Sequence, residues 1–269
     1  MTDLLRGVGL SRYELNARLK PALLALLPTL VVALFWYPGA WTAAGSVVAV
    51  GSACGVLYAM AQLARNRGRA AERRLGREVG RDKTAKLLTH SDDTVVAETK
   101  ARYYAYLRTH GQVLSTPEEE RADPGFAFRR ARSSVDWLLE HTRSGGGQLL
   151  LDENVAYGFQ RNLYGLKPFG VSLSVLAIMT HVLLLVLVVP AGERFWFGAA
   201  ICLPLSILVF GWLFLVTKGA VAEASFAYAQ RLLSNCEPTT KAPRARRSPN
   251  KRQDDPVAAK PQKRKVRES

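Results

Sequence analysis

The residues able to make or break bonds are few and poorly spaced for it. His90-Ser91-Asp92-Asp93 collects an imidazole, a hydroxyl and two carboxylates, the residue types of hydrolytic catalysis. Adjacent residues at a helix start point in different directions, so the run reads as capping rather than as a nucleophile with its base. The four histidines, His90, His110, His141 and His181, show no metal-ligand spacing, and neither HExxH nor paired CxxC occurs. Cys54, Cys202 and Cys236 fit no disulfide or metal pattern either. Gly145-Gly146-Gly147 lacks the leading strand and the Lys-Ser/Thr pair of a phosphate loop and reads as a linker. These patterns predict no enzyme, no metal site and no cofactor.

The chemistry that remains belongs to a membrane interface. Glu153–Gly170 interleaves Tyr157, Phe159, Tyr164 and Phe169 with Arg161, Lys167 and the amides of Gln160 and Asn162. Aromatic rings prefer the headgroup layer, where Arg and Lys lay apolar stems along lipid and keep their charges wet. Pro168 suits the first turn of a helix, where its missing donor goes unnoticed. Gly158 and Gly165, seven apart, share one helix face and permit close approach to a stalk helix, either 65–86 or 220–233. The stretch is therefore read as a coupling elbow of Tyr157, Gly158, Phe159, Arg161, Asn162, Tyr164, Gly165, Lys167 and Pro168. The rival reading is a plain anchor of aromatic and basic bulk.

The elements that must position this elbow are membrane spans. In 269 residues, 48% hydrophobic and carrying a net charge of +15, a mean hydropathy of zero conceals apolar runs and polar blocks. The predicted fold is all-α: a polytopic membrane protein of two transmembrane hairpins (22–64 and 170–217). A helical cytoplasmic domain (65–169) lies between them. Residues 1–21 form an amphipathic surface segment, 218–236 extend the fourth helix, and 237–269 form a disordered basic tail. Spans run Ala22–Tyr37, kinked at Pro28, then Thr42–Ala64, Gly170–Val189 and Phe195–Thr217. Gly51 and Gly55 give the second span a small packing face. Within the third, Thr180 and His181 are polar at membrane depth. With no acid or second histidine in any span, a neutral imidazole bonded across helices is preferred over a proton relay.

Charge asymmetry orients the chain. Pro38–Trp41 carries no charge and the second tip only Glu193 and Arg194, whereas Arg65, Arg67, Arg69, Arg73 and Arg74 directly follow the second span. The positive-inside bias places both termini and the middle domain on the cytoplasmic side of the membrane. In that domain 65–86 continues the second helix as a stalk, weakened by Gly68, Gly76 and Gly80. Ser91 caps a helix to about His110 with Val95, Val96, Tyr103 and Leu107 inside and Thr99, Lys100 and Arg102 wet. Thr116-Pro117-Glu118-Glu119 and Asp123-Pro124 each open a further helix. The tail holds eleven Lys/Arg against four acids, which suits anionic lipid or nucleic acid.

SDDTVVAETKARYYAYLRTH, STPEEERADP and ENVAYGFQRNLYGLKPFG together resemble a recurring group of uncharacterised bacterial inner-membrane proteins, over roughly Leu88 to Gly170. The resemblance carries no established activity. A second, purely architectural one is to four-span membrane effectors of bacterial antiphage operons, and it transfers no residues. The resulting expectation is an inner-membrane effector that senses a cytoplasmic trigger, a protein or nucleotide ligand, and perturbs the membrane lipids by homo-oligomerising, in phage defence. The alternative is a membrane scaffold recruiting protein or nucleic acid through its basic regions. Cysteine labelling placed after Lys20, at Gly146 and after Glu237 should be blocked in intact cells. Periplasmic labelling at any of the three contradicts the topology.

Overall fold

The computed structural model describes residues 11–39, 47–143, 145 and 147–237. The expected tail from 238, residues 1–10, the tip and second-span start at 40–46, and Gly146 lie outside the described residues. Within them the chain is helical and has no strand. Helix α1 runs Arg12–Trp36, α2 Val47–Leu75, α3 Gly80–Leu87 and α4 Ala97–Thr109. Helices α5 (Pro117–Ala122) and α6 (Pro124–Thr142) follow, then α7 (Gly147–Val188), α8 (Glu193–Leu215) and α9 (Lys218–Leu233). Three of them, α1, α7 and α8, are long and apolar enough to cross a membrane.

Several boundaries differ from expectation, each for a local reason. Residues 12–21 are not a separate surface segment. Ser11 caps α1 in a capping box with Glu14, and a π-turn at Leu15–Leu19 carries the helix into the apolar run. The stalk breaks where Gly76 (φ +56°) and Gly80 (φ +64°) take the left-handed conformation that costs glycine least. The Gly80 N–H then donates to the buried Ser225 Oγ of α9 at 2.7 Å. Helix α8 is not extended by 218–236, because Val216 turns extended and the Thr217 hydroxyl caps α9 by accepting from Ala220 N. The largest difference concerns Pro168. It starts no helix but sits inside α7, which continues unbroken for 42 residues, about 63 Å at 1.5 Å per residue.

The polar domain closes around Leu87, Leu107, Val135, Leu138, Leu232 and Cys236, all essentially inaccessible. Burial pushes the Cys236 thiol up to about 12, with Glu237 adding to it, which makes it an inert hydrophobe. The capping box of Thr116 with Glu119 and the Asp123 cap to Phe126 N form as the sequence predicts. The segment before α4 does not. Ser91 caps nothing; α4 starts at Ala97, and Val96 is exposed. Residues 88–96 instead form a loop held by three partly or fully buried side chains. Tyr104 Oη donates to Leu88 O, and the Glu120 carboxylate accepts from His90 N at 2.7 Å and Ser91 N at 2.9 Å. Lys100, expected wet, is buried and donates Nζ to Thr89 O and Asp92 O. Burial lowers its pKa, opposed by Asp92, Asp93 and Glu120.

These contacts, rather than helix capping, are what the His-Ser-Asp-Asp run makes. Burial alone would raise the Glu120 pKa, but the His90 and Ser91 donors outweigh it and hold the carboxyl below its ordinary 4.5. A depressed folded pKa gives stability that is present above the unfolded value and lost as pH falls through the folded one. Thermal stability should therefore fall below about pH 4.5, with Glu120→Gln lowering the unfolding midpoint at neutral pH and flattening the acid slope. Lys100→Met should cost about 1–3 kcal/mol, because two buried carbonyls lose their donor.

Candidate functional site

Helix α7 crosses α2 in an antiparallel sense at the expected elbow. A side chain begun at Gly165 would lie 2.5 Å from the Arg67 carbonyl carbon and from Gly68 N, so only glycine permits this approach. One turn away, Arg161 Nη1 donates to Glu72 Oε2 at 2.6 Å; the two side chains are only 14% and 28% exposed. Between these contacts Asn162, fully buried, donates Nδ2 to Ala17 O of α1 at 2.6 Å. Its Oδ1 faces Gly68, where any side chain would displace it. Gly158 also meets α1 rather than a stalk, with Tyr13 Oη and the Ala17 methyl in its side-chain space.

The other elbow residues tie further helices to the same segment. Lys167 Nζ donates to Leu213 O at 2.8 Å and Val216 O at 2.9 Å, two carbonyls at the end of α8. A cation there also suits the negative end of the helix. Gly170 lies flat against the Trp212 indole of α8. Tyr157 stacks on Tyr228 of α9, with ring centroids 6.0 Å apart and planes 6° apart. Tyr164 packs into both the domain core and the cluster of Ala25, Ala64, Leu166, Trp212 and Val216. Arg67 lies over the Phe169 ring at 4.8 Å. Phe159 is half-buried with no ring partner among the described residues, and Pro168 is exposed.

His181 and Thr180 separate. Thr180 is exposed on α7, while His181 is inaccessible between α1 and α8. Trp36 Nε1 lies 3.1 Å from His181 Nδ1, and His181 Nε2 lies 3.0 Å from Gly198 O. An indole N–H only donates and a carbonyl only accepts, so the ring is neutral with its proton on Nε2. It acts as a cross-link between three apolar helices. Among the described residues no three His, Cys, Asp or Glu side chains are placed to hold a metal.

No protein-family model, no curated protein and no solved structure matches this chain.

Sequence reasoning named 65–86 as a possible partner of Gly165 but read Gly68 only as weakening that stalk, and missed Glu72, Ala17 and Tyr13. Gly68 and Glu72, one turn apart on one helix face, were a further signal. Replacing Gly165 by Leu should force α7 from α2 and lower the unfolding temperature of the detergent-solubilised protein. Asn162→Ala should cost about 1 kcal/mol or more through the stranded Ala17 carbonyl. Thr180→Ala, on an exposed face, should be neutral in the same melts.

Proposed function

We propose a non-enzymatic inner-membrane protein with four spans in two hairpins, and with both termini and the helical domain cytoplasmic. The domain senses a trigger, and the chain responds by oligomerising and perturbing the membrane, in phage defence. The observation carrying this reading is the uninterrupted α7. One helix packs its first half against the domain and forms an apolar, membrane-length run in its second. A shift of the domain therefore moves a span directly rather than through a flexible linker. The outer faces of α7 and α8, with Leu176, Met179, Leu203 and Phe214 exposed, suit lipid or another copy. So few polar residues line these helices that one copy cannot surround a wide pore, and assembly follows.

The rival scaffold reading draws on the eleven basic residues of the tail, which suit anionic lipid or nucleic acid. Induced expression with a membrane-potential dye and viability counts distinguishes the two. An effector depolarises cells when triggered, whereas a scaffold leaves the potential intact while tail neutralisation removes its partner. Arg161→Lys and Gly165→Leu should abolish depolarisation while membrane fractionation stays normal, because an ammonium cannot reproduce the planar guanidinium fork. Full activity in both would reduce the junction to an anchor.

A further inference from the structure

Beside the Arg161–Glu72 pair lies an open cavity of about 590 Å³ between α1, α2, α3, α6 and α7. Its walls carry seven arginines and only two carboxylates, Glu72 and Asp82. Four of the arginines are already neutralised. Arg161 pairs with Glu72, Arg18 with Glu14, Arg81 with Asp136, and Arg132 with Asp82 and Asp136. Both wall carboxylates are consumed by these pairs. Arg65, Arg69 and Arg73 have no carboxylate at ion-pair distance among the described residues, although the Glu14 charge reaches Arg65 electrostatically. Arg65 also holds a buried Nε with no hydrogen-bond partner.

The three stand at i, i+4 and i+8, which puts them on one face of α2 at intervals of about 6 Å. Like charges at this spacing repel along a helix, so folding alone does not favour the row. Tyr13 lines the same cavity. Guanidinium groups bind phosphate oxygens through two parallel N–H bonds, and several together match a multiply charged anion better than a single carboxylate. A monoanion would leave most of the positive excess uncompensated. The bridge from the cavity to α7 is Arg161 itself, so an anion here competes with Glu72 for that guanidinium.

We propose that this cavity binds an anion bearing two or more phosphate groups, held by Arg65, Arg69 and Arg73. The site rests on the sensing reading above and names the chemical class of its trigger. The anion comes either from a soluble phosphorylated molecule or from a lipid headgroup with two phosphates, since α1 and α7 leave the cavity as apolar helices.

The full chain, with the eleven basic tail residues changed to Gln to remove non-specific attraction, is purified into phosphatidylcholine nanodiscs. Inorganic pyrophosphate is titrated calorimetrically. Expected is one saturable site that weakens with salt, is at least tenfold weaker in Arg69→Gln/Arg73→Gln, and is unchanged in Arg74→Gln, which lines a different cavity. A second arm counts cardiolipin retained from mixed-lipid discs. Retention that falls in the double variant, without pyrophosphate binding, supports the site and assigns the lipid as source. Circular dichroism and thermal melts confirm that both variants are folded. If wild type takes neither probe, or the folded double variant takes as much of whichever probe wild type takes, the site is overturned. Binding is read on isolated protein, so its failure is distinct from an absence of depolarisation in cells.

Discussion

Two helix backbones can touch only where the residues between them lack side chains. Here that constraint falls on Gly165 of α7 against Arg67 and Gly68 of α2. Because the helices run antiparallel, one turn in each direction brings Arg161 beside Glu72 at 2.6 Å. Stripping one partner from such a largely buried pair costs on the order of 3 kcal/mol, since the other charge is left without compensation. The glycine contact and the ion pair are thus a single device. The first sets the distance that the second requires.

Around that crossing the chain gathers the ends of its apolar helices. Asn162 takes the Ala17 carbonyl of α1, and Lys167 takes Leu213 and Val216 at the end of α8. Two turns of α7 therefore hold three other helices through polar contacts. Farther along, His181 joins Trp36 of α1 to Gly198 of α8. An apolar layer of Val32, Ala177 and Leu205 packs nearby. Lipid cannot satisfy polar groups, so each such bond between apolar helices fixes orientation as well as proximity.

Much of the helical layout was legible in the sequence because it depends on local chemistry. Thr116 with Glu119 and Asp123 before Pro124 announce their helices, and apolar runs announce α1, α7 and α8. The aromatic and basic density of 157–168 drew the sequence reading to a stretch that packs against α1, α2, α8 and α9. What the sequence concealed was tertiary. Pro168 looks like a helix start, but the neighbours pinned by Lys167 and Gly170 hold α7 continuous through it. Lys100 sits at a position that helical periodicity marks as wet, yet the carbonyls of a distant loop bury it. Arg65, Arg69 and Arg73 read as orientation charge, and only the folding of α6 and α7 around them reveals a shared cavity.

The continuity of α7 is the claim on which the account turns, and a distance measurement tests it most directly. Spin labels at Leu151 and Leu183, both exposed, are separated by 32 residues of α7. A continuous helix predicts one narrow distance near 48 Å in pulsed electron resonance, at about 1.5 Å per residue. A right-angled elbow at Pro168 would bring the labels to about 34 Å by the same rise. That shorter distance, or a broad distribution, would contradict a rigid connection between the two halves of α7.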